Sequence, residues 1–166
     1  MPKGELLLKI PQGYTATTAA RYDITRSTPV QNSNGVWMDA YEEFGMSLED
    51  TGISALMTPV PAKARAKNRS RLNHGETLAG SLERKDAREI TLPFHISAQT
   101  KEVCLQRYHK LCQLLDLGTL VIWSSHVPTE AYHCKYLSCT SFSEFMMSLM
   151  KYSLKVEEPN PDNRAL

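Results

Sequence analysis

The fold is decided by residues 88–123, REITLPFHISAQTKEVCLQRYHKLCQLLDLGTLVIW, because the spacing of the apolar residues changes twice within them. In residues 88–98 apolar side chains alternate with polar ones, which is typical of a half-buried strand. The apolar face of this strand would hold Ile90, Leu92, Phe94 and Ile96. Pro93 removes one backbone donor, so we expect an edge position or a bulge there.

A helix at about residues 100–117 is predicted to follow this strand. Thr100 can cap its first turn, and Gly118 can end it. The apolar residues then recur at helical spacing, which predicts a single buried stripe. The members of that stripe are Val103, Tyr108, Leu111, Cys112 and Leu115.

Further strands are predicted on both sides of this unit. The segments that read as strands are ELLLKI (5–10), TLVIW (119–123), AYHCKYLSC (131–139) and FMMSLMKYSLKV (145–156), with loops expected at SSHVPTE (124–130) and TSFSE (140–144). One helix packed on several strands indicates an α+β class in which β structure dominates.

Length and charge narrow the organisation of the chain. Its 166 residues suit one domain, which we place at residues 1–158, with a flexible C-terminal tail at 159–166. Lysine and arginine number 19 against 18 acidic residues, so no global field favours nucleic acid or an anionic membrane. The apolar run near the N-terminus is too short for a signal peptide or a membrane span, so we expect synthesis in the cytoplasm.

A long arm is predicted at residues 59–80, PVPAKARAKNRSRLNHGETLAG, because its composition cannot form a packed face. Cations occupy every second position, so an extended chain would align them on one side. These cations are Lys63, Arg65, Lys67, Arg69 and Arg71. Residues 63–71 could follow the phosphates of a nucleic acid, although the interleaved aromatic residues of single-strand binders are missing.

The arm has two other possible roles. It could contact an acidic surface on a neighbouring subunit, for which the chain supplies Asp39, Glu42, Glu43, Glu49 and Asp50. It could also be an ordinary solvated loop, as arginine-rich and lysine-rich loops often are.

No catalytic, cofactor-binding or metal-binding residue is predicted. A zinc site could be drawn from His126, His133, Cys134 and Cys139, but His133 and Cys134 are adjacent in a strand and point to opposite faces. No nucleophile elbow, dinucleotide fingerprint or phosphate loop occurs. The four cysteines are expected to be reduced core thiols, and the chain is not expected to be an enzyme.

The phrases DAYEEFGMSLEDTGISALMTPVPAKARAKNRSRLNHG, YHCKYLSCTSF and KVEEPNPDNR, together with the order of the elements, resemble small phage and prophage tail proteins of Bacteroidales. These proteins are similar to the distal tail proteins and tail-tube proteins of long-tailed phages. The resemblance implies a β-sandwich or β-barrel core flanked by a helix. It also implies a structural protein of the virion tail, assembled as a homo-oligomeric ring, commonly a hexamer, in contact with other tail proteins. It brings no catalytic residues.

Overall fold

The structure is a computed structural model that describes residues 5–16, 21–23, 28–30, 37–64, 67–68, 77–78, 84–145 and 148–165. Strands and helices are numbered in chain order. The strands are β1 Leu6–Lys9, β2 Arg21–Asp23, β3 Thr28–Val30, β4 Trp37–Asp39, β5 Met46–Leu48, β6 Lys67–Asn68, β7 Thr77–Leu78, β8 Arg88–Ser97, β9 Thr119–Ser124, β10 Val127–Phe145 and β11 Leu149–Glu158. The helices are α1 Ala40–Phe44, α2 Asp50–Met57 and α3 Lys101–Asp116.

Nine of these strands form one antiparallel sheet in the order β3-β2-β4-β1-β9-β10-β11-β8-β5, and β6 pairs with β7 in a separate ribbon. The α+β class with dominant β structure is therefore confirmed. The predicted strands at 5–10, 88–98 and 119–123 correspond to β1, β8 and β9.

Strand β8 has the alternation that its sequence predicts. Ile90, Leu92, Phe94 and Ile96 are buried, while the residues between them are exposed or half-buried. Pro93 lies where the neighbouring strand β5 ends, and its carbonyl accepts a bond from the backbone N–H of Glu49 at 3.0 Å. The proline thus occupies a position where no strand needs its missing donor.

Helix α3 packs against β8 and α1. The Thr100 hydroxyl accepts from the Val103 backbone N–H at 3.3 Å, which confirms the predicted cap. The buried stripe differs from the predicted one, because Cys104, Leu111 and Leu114 are its buried members. Val103 is 37 % exposed, since it lies in the first turn on the side away from the sheet.

Two helices, α1 and α2, were not predicted. The Asp39 carboxylate caps α1 by accepting from the backbone of Tyr41 at 2.8 Å. Gly45 ends α1 with φ of 63°, and a Cβ there would collide with the Ser97 carbonyl and the Arg107 guanidinium. Only glycine meets both requirements, so this short helix depends on tertiary contacts more than on helical periodicity.

The predicted loops at 124–130 and 140–144 are mostly strand. Ser125 and His126 form the turn between β9 and β10, and β10 then runs through both segments. It pairs with β9 through Lys135 and with β11 from Lys135 onward. Register shifts at Tyr136/Ser138 and Cys139/Ser141 mark bulges. Pairing along this long hairpin outweighs the polar local composition that suggested loops.

Candidate assembly surface

The described part of the arm is an antiparallel ribbon that leaves the body of the protein after α2. Near the body, the Lys63 N–H donates to the Arg84 carbonyl at 2.7 Å, and the Asp86 N–H donates to the Pro61 carbonyl at 3.1 Å. Ala62 pairs with Lys85 between them. We call residues 61–64 and 84–87 the arm root. Within the arm, β6 pairs with β7 through the backbone.

The arm root is exposed on both strands, as an outward-reaching element requires. Residues 84–86, which pair with residues 61–63, lie outside the predicted arm at 59–80, and the bounds of the arm stay a prediction. Of the five predicted cations, Lys63 lies exposed on the root, and Lys67 begins β6. Arg65, Arg69 and Arg71 lie outside the described residues. The alignment of all five cations on one side stays a prediction.

Arg88 joins the end of α2 to the strand that follows the arm root. Its Nη1 donates to the Thr58 carbonyl at 2.5 Å and its Nη2 to the Leu56 carbonyl at 3.0 Å. These carbonyls belong to the end of α2, whose last turn contains no basic residue of its own. A guanidinium at this place satisfies unpaired carbonyls and complements the negative end of the helix dipole. Arg88 also follows directly on the return strand of the root.

A buried charge network holds Arg88 in this position. Its Nε donates to Glu158 Oε2 at 2.6 Å, and Glu158 is fully buried. Arg164 donates from Nε to Glu158 Oε1 at 2.8 Å and from Nη2 to Oε2 at 3.2 Å. Its Nη1 donates to Glu130 at 2.9 Å. Two guanidinium groups therefore face two carboxylates, and the hydrogen bonds to Glu158 raise the pKa of Arg164 above its usual range.

Tyr132 forms the apolar side of this network. Its ring centroid lies 4.9 Å from Cζ of Arg164 and 5.8 Å from Cζ of Arg88. Guanidinium groups at these distances are attracted to the electron-rich face of the ring. Burial raises the pKa of the Tyr132 hydroxyl, so the side chain is neutral at physiological pH.

The tail has specific partners in the structure. The Arg164 carbonyl accepts from the Ala131 N–H at 3.1 Å, and the Ala165 carbonyl lies 2.8 Å from Nε2 of His133. Asp162 pairs with Lys85 of the arm root at 3.1 Å. Mobility of residues 159–166 stays a prediction, but these contacts favour a docked tail through Ala165.

Two of the five acidic residues predicted for the subunit interface are buried. Asp39 is 1 % exposed and caps α1. Glu43 is also 1 % exposed; it accepts from the Tyr14 hydroxyl at 3.0 Å and lies 3.9 Å from the Lys110 ammonium. Burial and the nearby Glu43 carboxylate raise the pKa of Tyr14. In the single chain both carboxylates are therefore buried, and neither is an exposed acidic group.

The other three acidic residues lie nearer to solvent. Glu42 and Glu49 are half-buried, and Asp50 is exposed in the first turn of α2. Glu49 pairs with Lys151 at 3.5 Å. Glu49 and Asp50 also line an open polar cavity of about 690 Å³ together with His95, His126 and Lys151. The role of these acidic residues in a subunit interface stays a prediction.

The cysteines are only partly the core thiols that were expected. Cys104 and Cys134 are buried, and burial raises the pKa of Cys134 to about 12. Cys112 is half-buried, and Cys139 is exposed because it lies in the polar part of β10. Among the described residues, no group of three or more histidine, cysteine or acidic side chains could hold a metal ion. No helix in the described ranges is long and apolar enough to span a bilayer.

The buried ion pair of Arg88 and Glu158 has a signal in the sequence. Arg88 lies on the same strand face as Ile90, and Glu158 lies on the same face as Val156. The register of the two strands places Arg88 directly opposite Glu158. Two apolar faces that end in opposite charges on neighbouring strands therefore indicate a buried ion pair.

Comparison with known proteins gives a likeness of fold. No protein-family model matches the chain, and no curated protein does. Among solved structures, the chain is similar to the Dit protein of phage SPP1, described as a paradigm of the hub adsorption apparatus in phages that infect Gram-positive bacteria. The TM-score is 0.52 at 16 % sequence identity, and the likeness covers 75 % of this chain but 47 % of the Dit chain. The chain thus shares the fold of part of a phage tail hub protein.

Proposed function

We propose that this protein is a structural subunit of a phage or prophage tail, in the distal tail or tube region, that acts by assembly. The observation that carries the proposal is the fold likeness to the Dit protein, which covers three quarters of the chain. The resemblance of the sequence to tail proteins points in the same direction. In this role the protein is not an enzyme and needs no cofactor, and its site of action is the virion tail.

The arm is the element that would join one subunit to the next. Its root is exposed and paired through its backbone, and Arg88 links the strand that follows the root to the end of α2. A closed ring, for which a hexamer is our expectation, requires two different surfaces that meet on successive subunits. The arm supplies one of them, and the acidic rim with Glu49 and Asp50 is our candidate for the other.

Charge would set the register of this contact more than its strength. Exposed ion pairs contribute about 0 to 1 kcal/mol each, and salt screens them. Lys63, Arg65, Lys67, Arg69 and Arg71 would therefore guide encounter and alignment, while apolar contacts supply most of the affinity. Assembly should accordingly slow in high salt without being lost.

The proposal is tested by removing the arm between Lys63 and Arg84. Residues 64–83 are replaced by an Asn-Gly turn, which suits a two-residue hairpin and keeps the Lys63–Arg84 bond. We expect a folded monomer, whereas the parent forms a ring when its mass is measured from micromolar concentration upward. A Lys101→Gln variant, changed at an exposed position on α3, serves as the control and should assemble like the parent.

Three outcomes would contradict the proposal. The first is that the variant without the arm forms the same ring as the parent. The second is a monomeric parent at every concentration. The third is a monomeric parent that binds DNA with an affinity falling steeply as salt rises, since that dependence marks phosphate contacts by the arm.

A further inference from the structure

Three segments that are distant in sequence meet at Glu158. Arg88 connects it to the arm root and to the end of α2, and Arg164 connects it to the tail. The root also contacts the tail directly, through Lys85 and Asp162, but that pair is 50 % and 64 % exposed. The two routes between tail and arm therefore differ in burial, which makes them separable by experiment.

Glu158 divides its two oxygens unequally between the arginines. Within the described ranges, Oε1 accepts from Arg164 alone, whereas Oε2 accepts from Arg88 Nε and from Arg164 Nη2. This division leaves both terminal nitrogens of Arg88 for the carbonyls of Leu56 and Thr58. Arg88 is thus a side-on partner of the carboxylate and a cap of α2 at once.

Loss of Arg164 would change that division. Among the described residues, Arg88 would be the one remaining cation bonded to Glu158, and Oε1 would lose its donor. An isolated arginine and carboxylate prefer two parallel hydrogen bonds, and a buried carboxylate without a donor is costly. Arg88 would turn a terminal nitrogen toward Oε1 and release a carbonyl at the end of α2.

We infer that Arg164 is a positioning residue for the arm: by occupying Glu158 Oε1, it keeps Arg88 on the carbonyls from which the arm departs. The docked tail and the arm are therefore coupled through a buried relay of Arg164, Glu158 and Arg88. Displacement of the tail loosens the arm root. This coupling is a property of one subunit and does not depend on ring formation.

Hydrogen exchange of the full chain tests the relay, because the root contains two reporter amides. The N–H groups of Lys63 and Asp86 are bonded across the root, and the N–H of Ser125 is bonded to Glu5 elsewhere in the fold. In Arg164→Gln we expect exchange at Lys63 and Asp86 to rise by about tenfold or more, with Ser125 unchanged. Exchange that rises only at residues 159–165 and at Ala131 would overturn the inference.

Two further variants separate the relay from the surface contact. Lys85→Gln removes the exposed pair with Asp162, and we expect parent-like exchange at the root. An effect as large as that of Arg164→Gln would show that the coupling follows the surface instead. In Arg88→Gln the root should open directly, and adding Arg164→Gln should increase root exchange no further; additive effects would overturn the relay.

A conservative variant covers the case in which Arg164→Gln does not fold. Arg164→Lys keeps the charge but offers a point ammonium in place of the planar fork. We expect a folded protein whose root exchange lies between those of the parent and of Arg88→Gln. Parent-like exchange at the root together with a tail that exchanges freely would refute the coupling.

Discussion

Leu111→Ala is the substitution that tests how α3 is placed on the sheet. Leu111 is 2 % exposed and lies in the core with Cys104 and Leu114. The change removes three carbon atoms, worth about 0.8 kcal/mol each in transfer, or roughly 2.4 kcal/mol together. A residual cavity adds to this loss, so we expect destabilisation of about 2.5 to 4 kcal/mol, within the usual range for buried leucines.

Urea unfolding followed by far-ultraviolet circular dichroism measures this loss, at one protein concentration because assembly stabilises the folded state. The urea midpoint should fall with the slope unchanged. For a domain of this size, a loss of about 3 kcal/mol corresponds to a Tm lower by roughly 6 to 12 °C. Val103→Ala is the matched control, since Val103 lies on the same helix but is 37 % exposed. Its effect should stay within about 0.5 kcal/mol.

The comparison of the two variants decides between two orientations of α3. Equal losses of stability in Leu111→Ala and Val103→Ala would show that Val103 is buried, as the sequence pattern suggested. They would refute the orientation of α3 in the structure. A loss below about 0.5 kcal/mol for Leu111→Ala would show that the helix does not cover the core at that turn.

The remaining predictions concern polar and ionisable side chains. Tyr152→Phe should be neutral or stabilising by up to about 1 kcal/mol in thermal unfolding, because the buried hydroxyl has no partner among the described residues. Tyr14→Phe should instead lower the stability by roughly 1.5 to 3 kcal/mol, because it removes a donor from the buried carboxylate of Glu43. With a thiol reagent at neutral pH, Cys139 should react at once and Cys134, whose pKa is about 12, only on unfolding; early labelling of Cys134 would contradict its burial. Burial lowers the pKa of His95 below its ordinary 6.5, so the imidazole is protonated more readily in the unfolded chain. The free energy of unfolding should therefore fall as the pH drops below about 6.5. His95→Gln should flatten this part of the stability–pH curve, and an unchanged curve would contradict the prediction.

The parts of the fold that were predictable are those with long, clear periodicity. Strand β8 alternates over its whole length, and α3 is long enough for a cap and a stripe to be recognised. Even there, the rotation of α3 was predicted imperfectly, because Val103 and Cys104 are adjacent and both fit an apolar stripe. Periodicity identifies an element more reliably than it identifies the face that is buried.

The unpredicted parts depend on contacts between distant residues. Helix α1 has five residues, too few for a periodic signal, and Gly45 ends it against Ser97 and Arg107. The ion pair of Arg88 and Glu158 joins residues that are 70 positions apart. The sequence alone identifies Arg88 and Glu158 as charged residues on apolar strand faces. Only the register of β8 and β11 shows that they lie opposite each other.

The location of the buried charges suggests what they contribute. Removing charges from water costs several kcal/mol per ion, and well-packed apolar residues often stabilise a core as well or better. The network of Arg88, Glu158 and Arg164 is therefore expected to contribute less to the stability of the fold than to the choice of one specific conformation. An apolar cluster at this place would leave the carbonyls at the end of α2 without donors and would not fix the direction of the chain that follows. The arginine–glutamate network supplies these donors, and it joins the end of α2 to the strand that follows the arm root. We conclude that the fold places its buried charges where the orientation of one element matters most for the proposed assembly.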